Sequence, residues 1–96
     1  MKVKIHAQGA ERVLAAADSD LIGKTLEDGE IVFNVSPHFY DGKVVDAKKL
    51  GRLLSEHSNI NLVGEQTVGV AIEKKLVTPQ DVRKINGVPH VQIFSF

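Results

Sequence analysis

The 96-residue sequence contains no cysteine. A disulfide framework, a thiolate zinc site and a cysteine nucleophile are therefore excluded. The absence of disulfides is compatible with the reducing cytosol, and we expect a cytoplasmic location. No segment approaches the roughly 20 consecutive apolar residues that a membrane span requires. No apolar segment follows a basic start, as it would in a secretory signal, so we expect neither a signal nor a membrane partner.

Surplus charge is also absent, because twelve Lys and Arg residues balance twelve Asp and Glu residues. Non-specific nucleic-acid binding depends on excess cations that neutralise phosphates, and the chain as a whole has none. The balance is uneven, however. Residues 1–42 hold seven acids and four bases, a net charge of −3, and residues 43–96 hold eight bases and five acids, a net charge of +3. Such an asymmetry is common on small solvated domains, and it can also orient a charged partner.

Composition and length are those of an ordinary globular domain. Apolar residues make up 43% of the chain and charged residues 25%. A chain of this length can bury one core without metal or disulfide support. We predict a single domain over residues 1–96.

Strand signals occur in the first third of the chain and again near residue 90. Alternating polar and apolar side chains, β-branched runs and Asn-Gly or Asp-Gly turns mark them. The segment "IVFNV" is the strongest signal for a buried strand. Pro89 removes a ladder donor, so its strand is predicted to lie at a sheet edge or to begin there. Strands are predicted at residues 2–7, 11–17, 31–35, 82–85 and 88–94.

Two helices are predicted between these groups of strands, with single helical turns near residues 18–23 and 78–81. The first helix spans residues 47–56 after an Asp46 cap. The second is expected to begin at an Asn61 cap and to continue to Leu76. It would contain Gly64 and Gly69, each costing about 1 kcal/mol unless close packing offsets the loss. The predicted fold is an α+β two-layer sandwich, a mixed and mostly antiparallel sheet covered on one face by two main helices.

Familiar catalytic and metal-binding motifs are incomplete in this sequence. "GKT" at residues 23–25 resembles the end of a phosphate-binding loop, but Asp18 stands where the first glycine is needed. "NVSPH" lacks the flanking glycines that expose a nucleophilic serine. The four histidines lack metal-ligand spacing, although His38 and His90 could join Asp18 or Asp20 in space. We expect no catalytic residue, no metal and no cofactor.

The loop at residues 36–43 places two aromatic residues in a polar setting. In the structural interpretation, Phe39 fills the core and the Tyr40 hydroxyl bonds to backbone. In the functional interpretation, one of the rings offers a stacking or hydrogen-bonding surface. His90 has the same two alternatives. It is either a hydrogen-bonded group in the core or a titrating group in a cleft with Asp18, Asp20 or Glu65.

One face of the first predicted helix is basic. It is either an ordinary solvated surface or a contact for RNA phosphates or an acidic partner, and no aromatic platform accompanies it. The residues of this basic face are Lys43, Lys48, Lys49 and Arg52.

Three segments together resemble an archaeal family of small proteins known only as a domain of unknown function, family number 424. They are "DSDLIGKTLEDGEIVFNVSPHFYDG", "NLVGEQTVGVAIEKKLV" and "INGVPHVQI", and they span most of the chain in order. Val91 stands where the family pattern has alanine. The resemblance implies a cytosolic protein with no established activity, and it favours an information-processing role. It also implies shared polar residues, which we expect to converge on one cleft: Asp18, Lys24, Tyr40, Asn61, Glu65, His90 and Gln92.

Two functional hypotheses follow. The first is a non-catalytic binding module of the translation or RNA-related machinery, with a protein or RNA partner held by the basic face or the polar cleft. The alternative is a small enzyme or ligand-binding protein, with His90 and Glu65 as acid and base and Lys24 contacting an anion. We favour the first. A homodimer formed through an open edge beside the Pro89 strand is also compatible with the sequence.

Overall fold

Eight strands and three helices make up the structure, a computed structural model that describes residues 1–95. Single 3₁₀ turns at Ser19–Leu21 and Pro79–Asp81 match the two predicted helical turns. The helices are α1 (Pro37–Tyr40), α2 (Ala47–Ser55) and α3 (Glu65–Glu73). The strands are β1 (Lys2–Gln8), β2 (Glu11–Ala17), β3 (Thr25–Asp28), β4 (Ile31–Asn34), β5 (Lys43–Val44), β6 (Asn59–Val63), β7 (Arg83–Ile85) and β8 (Val88–Phe94).

Six of the strands form one sheet in the order β5-β1-β2-β6-β8-β7. β2 and β6 are parallel, and the other neighbouring strands are antiparallel. β3 and β4 form a separate hairpin. The predicted mixed, mostly antiparallel sheet is therefore confirmed.

Helices α2 and α3 cover one face of this sheet, which we call the helix face. Leu50 and Leu54 of α2 are buried because they follow the three- and four-residue spacing of a helix stripe. Val68 and Ala71 of α3 extend the same core. The strands meet them with alternate side chains that point to this face. Those strand residues are Val3, Leu14, Ala16, Ile60, Leu62 and Val91. The α+β architecture with two main helices is confirmed.

The opposite face of the sheet, here the second face, carries a partial cover that the sequence did not predict. Val35, just after β4, and Tyr40 of α1 pack over Ala15, Ala17 and Val63. The two alanines present little side chain, so α1 and the hairpin approach the sheet closely. The hairpin itself is more exposed than expected, since Val32 has 66% of its surface accessible. The prediction of a buried strand at residues 31–35 was therefore wrong for most of its length.

The second helix was predicted to begin at an Asn61 cap, whereas α3 begins at Glu65. Residues 59–63 form β6, in which Ile60 and Leu62 are buried at a two-residue period between β2 and β8. Asn61 is consequently a strand residue and not a helix cap. Gly64 precedes α3 with φ +112°, ψ 152°, a backbone region that is essentially restricted to glycine. The expected close packing occurs at Gly64 but not at Gly69, where an added Cβ would meet nothing within 4 Å.

Pro89 does not lie at a sheet edge, because β8 is paired with β6 on one side and β7 on the other. Its carbonyl accepts a hydrogen bond from Gly64 N at 2.9 Å. In an antiparallel strand the N and O of one residue point to the same side. The N–H that Pro89 lacks would therefore have faced Gly64, just beyond the end of β6. β7 covers the outer side of residues 88–90, which is the edge considered above for dimer pairing.

Candidate functional site

A hydrogen-bonded group on the second face unites three of the predicted polar residues. Pro37 occupies the first turn of α1, where its missing N–H is not needed, and the helix places Tyr40 against the sheet. The Tyr40 hydroxyl donates to Asn61 Oδ1 at 2.5 Å. Burial raises the pKa of Tyr40 above its ordinary range, so the hydroxyl remains a donor. We call Tyr40, Asn61 and His90 the Asn61 cluster.

His90 completes this cluster from β8. Its Nε2 lies 3.2 Å from Asn61 Oδ1, which has two lone pairs and can accept from both neighbours. The imidazole packs against Phe33 with the ring centroids 4.7 Å apart. Burial and, to a lesser extent, the nearby charge of Arg83 lower the pKa of His90. Val91 points to the helix face and is buried there, so its extra bulk does not crowd the imidazole.

Of the two aromatic residues of α1, Tyr40 is the one that fills the core, whereas the structural interpretation of the sequence assigned that position to Phe39. Tyr40, only 2% exposed, is the buried ring, and its hydroxyl bonds to a side chain and not to backbone. Phe39 is half-buried and stacks on His6 at 4.7 Å. His6 Nε2 also lies 2.8 Å from the Phe39 carbonyl, so α1 is held to β1 as well as to β6.

Asp18 serves a different purpose, at the start of α3. The residue is 8% exposed and follows β2 directly. Its carboxylate accepts from Gln66 N at 3.1 Å, from Thr67 N at 2.8 Å and from Thr67 Oγ1 at 2.7 Å. These bonds satisfy backbone donors that a helix leaves unpaired in its first turn. Asp18 is thus the N-terminal cap of α3, supplied from a distant part of the chain.

The remaining predicted cleft residues lie at separate places. Gln92 is exposed beside the Asn61 cluster, because it pairs with Asn61 across the sheet. Glu65 is exposed and lines a recess of about 300 Å³ together with Asp18 and Asp20, and the lining includes neither His90 nor Lys24. Lys24 is exposed, and within residues 1–95 its side chain makes no hydrogen bond or ion pair. The seven residues therefore do not form one bonded cluster in the described chain.

The grouping of His38 and His90 with Asp18 or Asp20, considered above as a metal site, does not assemble. Over the described residues, no three His, Cys, Asp or Glu side chains are placed to hold a metal ion. In the same part of the chain, no helix is long and apolar enough to cross a membrane.

The four cations of the predicted basic face form an exposed ridge along α2 and the adjoining β5, which we call the basic ridge. The ridge is made of Lys43, Lys48, Lys49 and Arg52. None of the four has an acidic partner within 4.0 Å among residues 1–95, where the ion pair present is Lys2–Asp41. The ridge cations therefore make no direct ion pair in the described part of the protein.

A groove borders the ridge on each side. One, of about 470 Å³, lies between α2 and α3, and its charged lining is Lys48, Arg52, Lys74 and the acid Glu73. The helices meet closely there, since a Cβ added to Gly51 would lie 3.3 Å from Lys74 Cδ. The other, of about 400 Å³, lies between α2 and β1. Lys74 was not predicted to join the basic face, and Gly51, inside an otherwise regular helix stripe, was the available signal of close helix packing.

The lowered pKa of His90 predicts a specific pH dependence of stability. A folded-state pKa below the ordinary value of 6.5 means that the unfolded chain binds the proton more readily. Stability from the neutral imidazole is therefore fully present above about pH 6.5 and is lost as the pH falls through the folded-state pKa. We expect the wild type to lose stability relative to His90→Gln between about pH 7 and pH 5, measured by urea unfolding. Parallel pH profiles for the two proteins would contradict this expectation.

A six-stranded mixed sheet with two helices on one face defines the protein as a small α+β domain. The chain belongs to the family described as "Protein of unknown function (DUF424)", whose family model matches residues 5–96. This confirms the resemblance found in the sequence. The fold is also similar to the crystal structure of an uncharacterized conserved protein from Methanopyrus kandleri, an archaeon. The TM-score is 0.79 and the identity 30%, over 99% of this chain and 93% of the other. No curated protein matches the chain.

Proposed function

We propose that the protein is a non-catalytic binding module that acts in the cytoplasm with the translation or RNA-related machinery. In this proposal the basic ridge contacts RNA phosphates. The observation that supports it is the set of exposed ridge cations that have no acidic partner in the described chain. Because the net charge of the whole chain is zero, the attraction would be local to this surface.

The arrangement of the ridge suits a chain of phosphates better than a single anion. Lys48 and Arg52 are four residues apart on α2, so they lie one above the other on the same side of the helix. Lys74 faces them across the groove between the helices. Arg52 can form bidentate bonds to a phosphate, and the lysines act as point charges. Several weak phosphate contacts along one surface are typical of RNA binding that does not depend on sequence.

The enzymatic alternative receives less support from the neighbours of His90. A catalytic acid–base pair requires hydrogen-bond contact, and the polar partner of His90 is the neutral amide of Asn61. The charge that acts on its pKa is Arg83, a cation, and not Glu65. A carboxylate at hydrogen-bond distance would shift this pKa in the opposite direction.

The proposal predicts salt-dependent RNA binding that requires the ridge. For single-stranded RNA, log K decreases linearly with log salt, and the magnitude of this slope decreases by about 0.7 for each phosphate contact that is lost. We expect Lys48→Ala/Arg52→Ala to decrease the magnitude of the slope by about 1.4. The measurement is fluorescence anisotropy with a labelled RNA oligonucleotide from about 50 to 300 mM salt.

Lys24→Ala/Lys84→Ala provides the matched control, because it removes two exposed cations outside the ridge. The control is expected to keep the slope of the wild type. Equal losses in the two double variants would show that RNA does not use the ridge, and absent binding by the wild type would reject the RNA proposal altogether.

A further inference from the structure

Strand β1 has an open outer side beyond its first two residues. β5 pairs only with Lys2 and Val3, and no other strand within residues 1–95 lies on that side. Val45 N donates to Met1 O, which shows that the odd-numbered residues of β1 direct their backbone groups outward. Ile5 and Ala7 therefore each present an N–H and a C=O at an unpaired sheet edge.

An apolar groove with a basic rim lies directly beside this edge on the helix face. This is the groove of about 400 Å³ between α2 and β1, and Val45 and Leu53 form part of its floor. Ile5 adds an apolar side chain that is 43% exposed. The rim cations are Lys4, Lys43 and Lys49. Lys4 already donates to the His38 carbonyl at 2.7 Å, whereas Lys43 and Lys49 have no ion-pair partner among the described residues.

We propose that this edge and groove bind an extended acidic segment of a partner protein by strand addition. The segment would continue the line of β5 and bond to the backbone of Ile5 and Ala7. Side chains of an added strand alternate between the two faces, so an apolar residue enters the groove above Leu53. Acidic residues two positions away along the segment lie on the same face and pair with Lys43 and Lys49. This contact uses the groove on the β1 side of α2, whereas Lys48, Arg52 and Lys74 line the groove on the α3 side.

The chemistry of the surface favours a peptide over other occupants. An RNA backbone offers phosphates to the rim, but it makes no use of an apolar floor or of outward carbonyls. A second copy of this chain, paired edge to edge through β1, would place two basic rims along one edge. Like charges placed together in this way oppose association. An acidic partner instead neutralises them.

A designed peptide provides the test. The probe is a fluorescein-labelled seven-residue peptide with valine at position 4, glutamate at positions 2 and 6 and threonine elsewhere, so that the valine and both glutamates share one face. Its binding to the full-length protein is measured by anisotropy. We expect Lys43→Glu/Lys49→Glu to weaken binding at least tenfold. Lys84→Glu, an exposed charge reversal on β7, is expected to change it less than twofold. The same peptide with lysine in place of both glutamates should bind at least tenfold more weakly than the glutamate peptide. Circular dichroism of each variant verifies that it is folded.

Two further measurements separate strand addition from simple charge attraction. The amides of Ile5 and Ala7 should exchange with solvent at least tenfold more slowly when the glutamate peptide is bound. A peptide N-methylated on the residues that face β1 should lose binding. Unchanged amide exchange, or full binding by the N-methylated peptide, would overturn the proposal. It would also be overturned if the free protein sedimented as a dimer with these amides already protected.

Discussion

Replacing Asp18 by alanine is expected to lower the free energy of unfolding by about 3 kcal/mol or more. The side chain accepts three hydrogen bonds, two of them from backbone donors in the first turn of α3. Hydrogen bonds to a charged group contribute roughly 1.5–3 kcal/mol each, and their contributions at one carboxylate are not additive. Loss of the carboxylate also leaves Thr67, which is fully buried, with unpaired donors. Guanidinium unfolding monitored by circular dichroism measures the change.

Two further variants define the origin of this loss. Asp18→Asn keeps the size and one acceptor oxygen, so we expect a smaller loss, about 1–2 kcal/mol. Asp20→Ala, two residues further on at an exposed position, should stay within about 0.5 kcal/mol of the wild type. If Asp18→Ala and Asp20→Ala were equally stable, the cap would not contribute as described.

Gly64→Ala is the second substitution with a large expected effect, a loss of about 3–5 kcal/mol. The backbone at Gly64 has φ +112°, and a side chain in this region costs roughly 1–3 kcal/mol. The new Cβ would also overlap the Asp18 carboxylate. Overpacking of this kind costs a further 1–3 kcal/mol or so. The measurement is again equilibrium unfolding, with the midpoint and slope compared to the wild type.

Gly69→Ala is the matched control for this substitution. Gly69 lies inside α3, and an added Cβ there meets nothing within 4 Å. Alanine at this position should stabilise the protein by about 0.5–1 kcal/mol, because it favours the helix. In the double variant Asp18→Ala/Gly64→Ala the steric overlap is absent, so its loss should be smaller than the sum of the two single losses by about 1 kcal/mol or more. Strict additivity would contradict the contact.

Local patterns predicted the elements whose neighbours are close in sequence. β1 and β2 form a hairpin, and the Asp46 cap and apolar stripe of α2 occur as expected, with Asp46 Oδ1 accepting from Lys49 N at 2.8 Å. β6 was missed because "NINLV" reads equally well as a capped helix start or as a short strand. Its identity depends on pairing with β2 and β8, which the local pattern does not contain.

The candidate site shows the same limit. The sequence singled out Tyr40, Asn61 and His90, and sheet register together with α1 brings their side chains into contact. It also grouped Asp18 with them, because a polar residue shared across a family can serve either binding or folding. The structure assigns Asp18 to the start of α3. In the sequence, Gly64 is the one sign of close packing at the start of α3, and a glycine by itself does not indicate which residue it contacts.

The parallel pairing of β2 with β6 has a consequence for the order in which the protein can fold. Leu14 pairs with Ile60, so the centre of the sheet forms only after a long intervening segment has been closed into a loop. Closing this loop has an entropic cost before the central contacts can form, and topologies rich in such distant contacts fold slowly. During synthesis, the β1–β2 hairpin emerges before β6, so the edge of β2 that pairs with β6 is unpaired until β6 has been made. The nascent chain is therefore most vulnerable to aggregation in that interval.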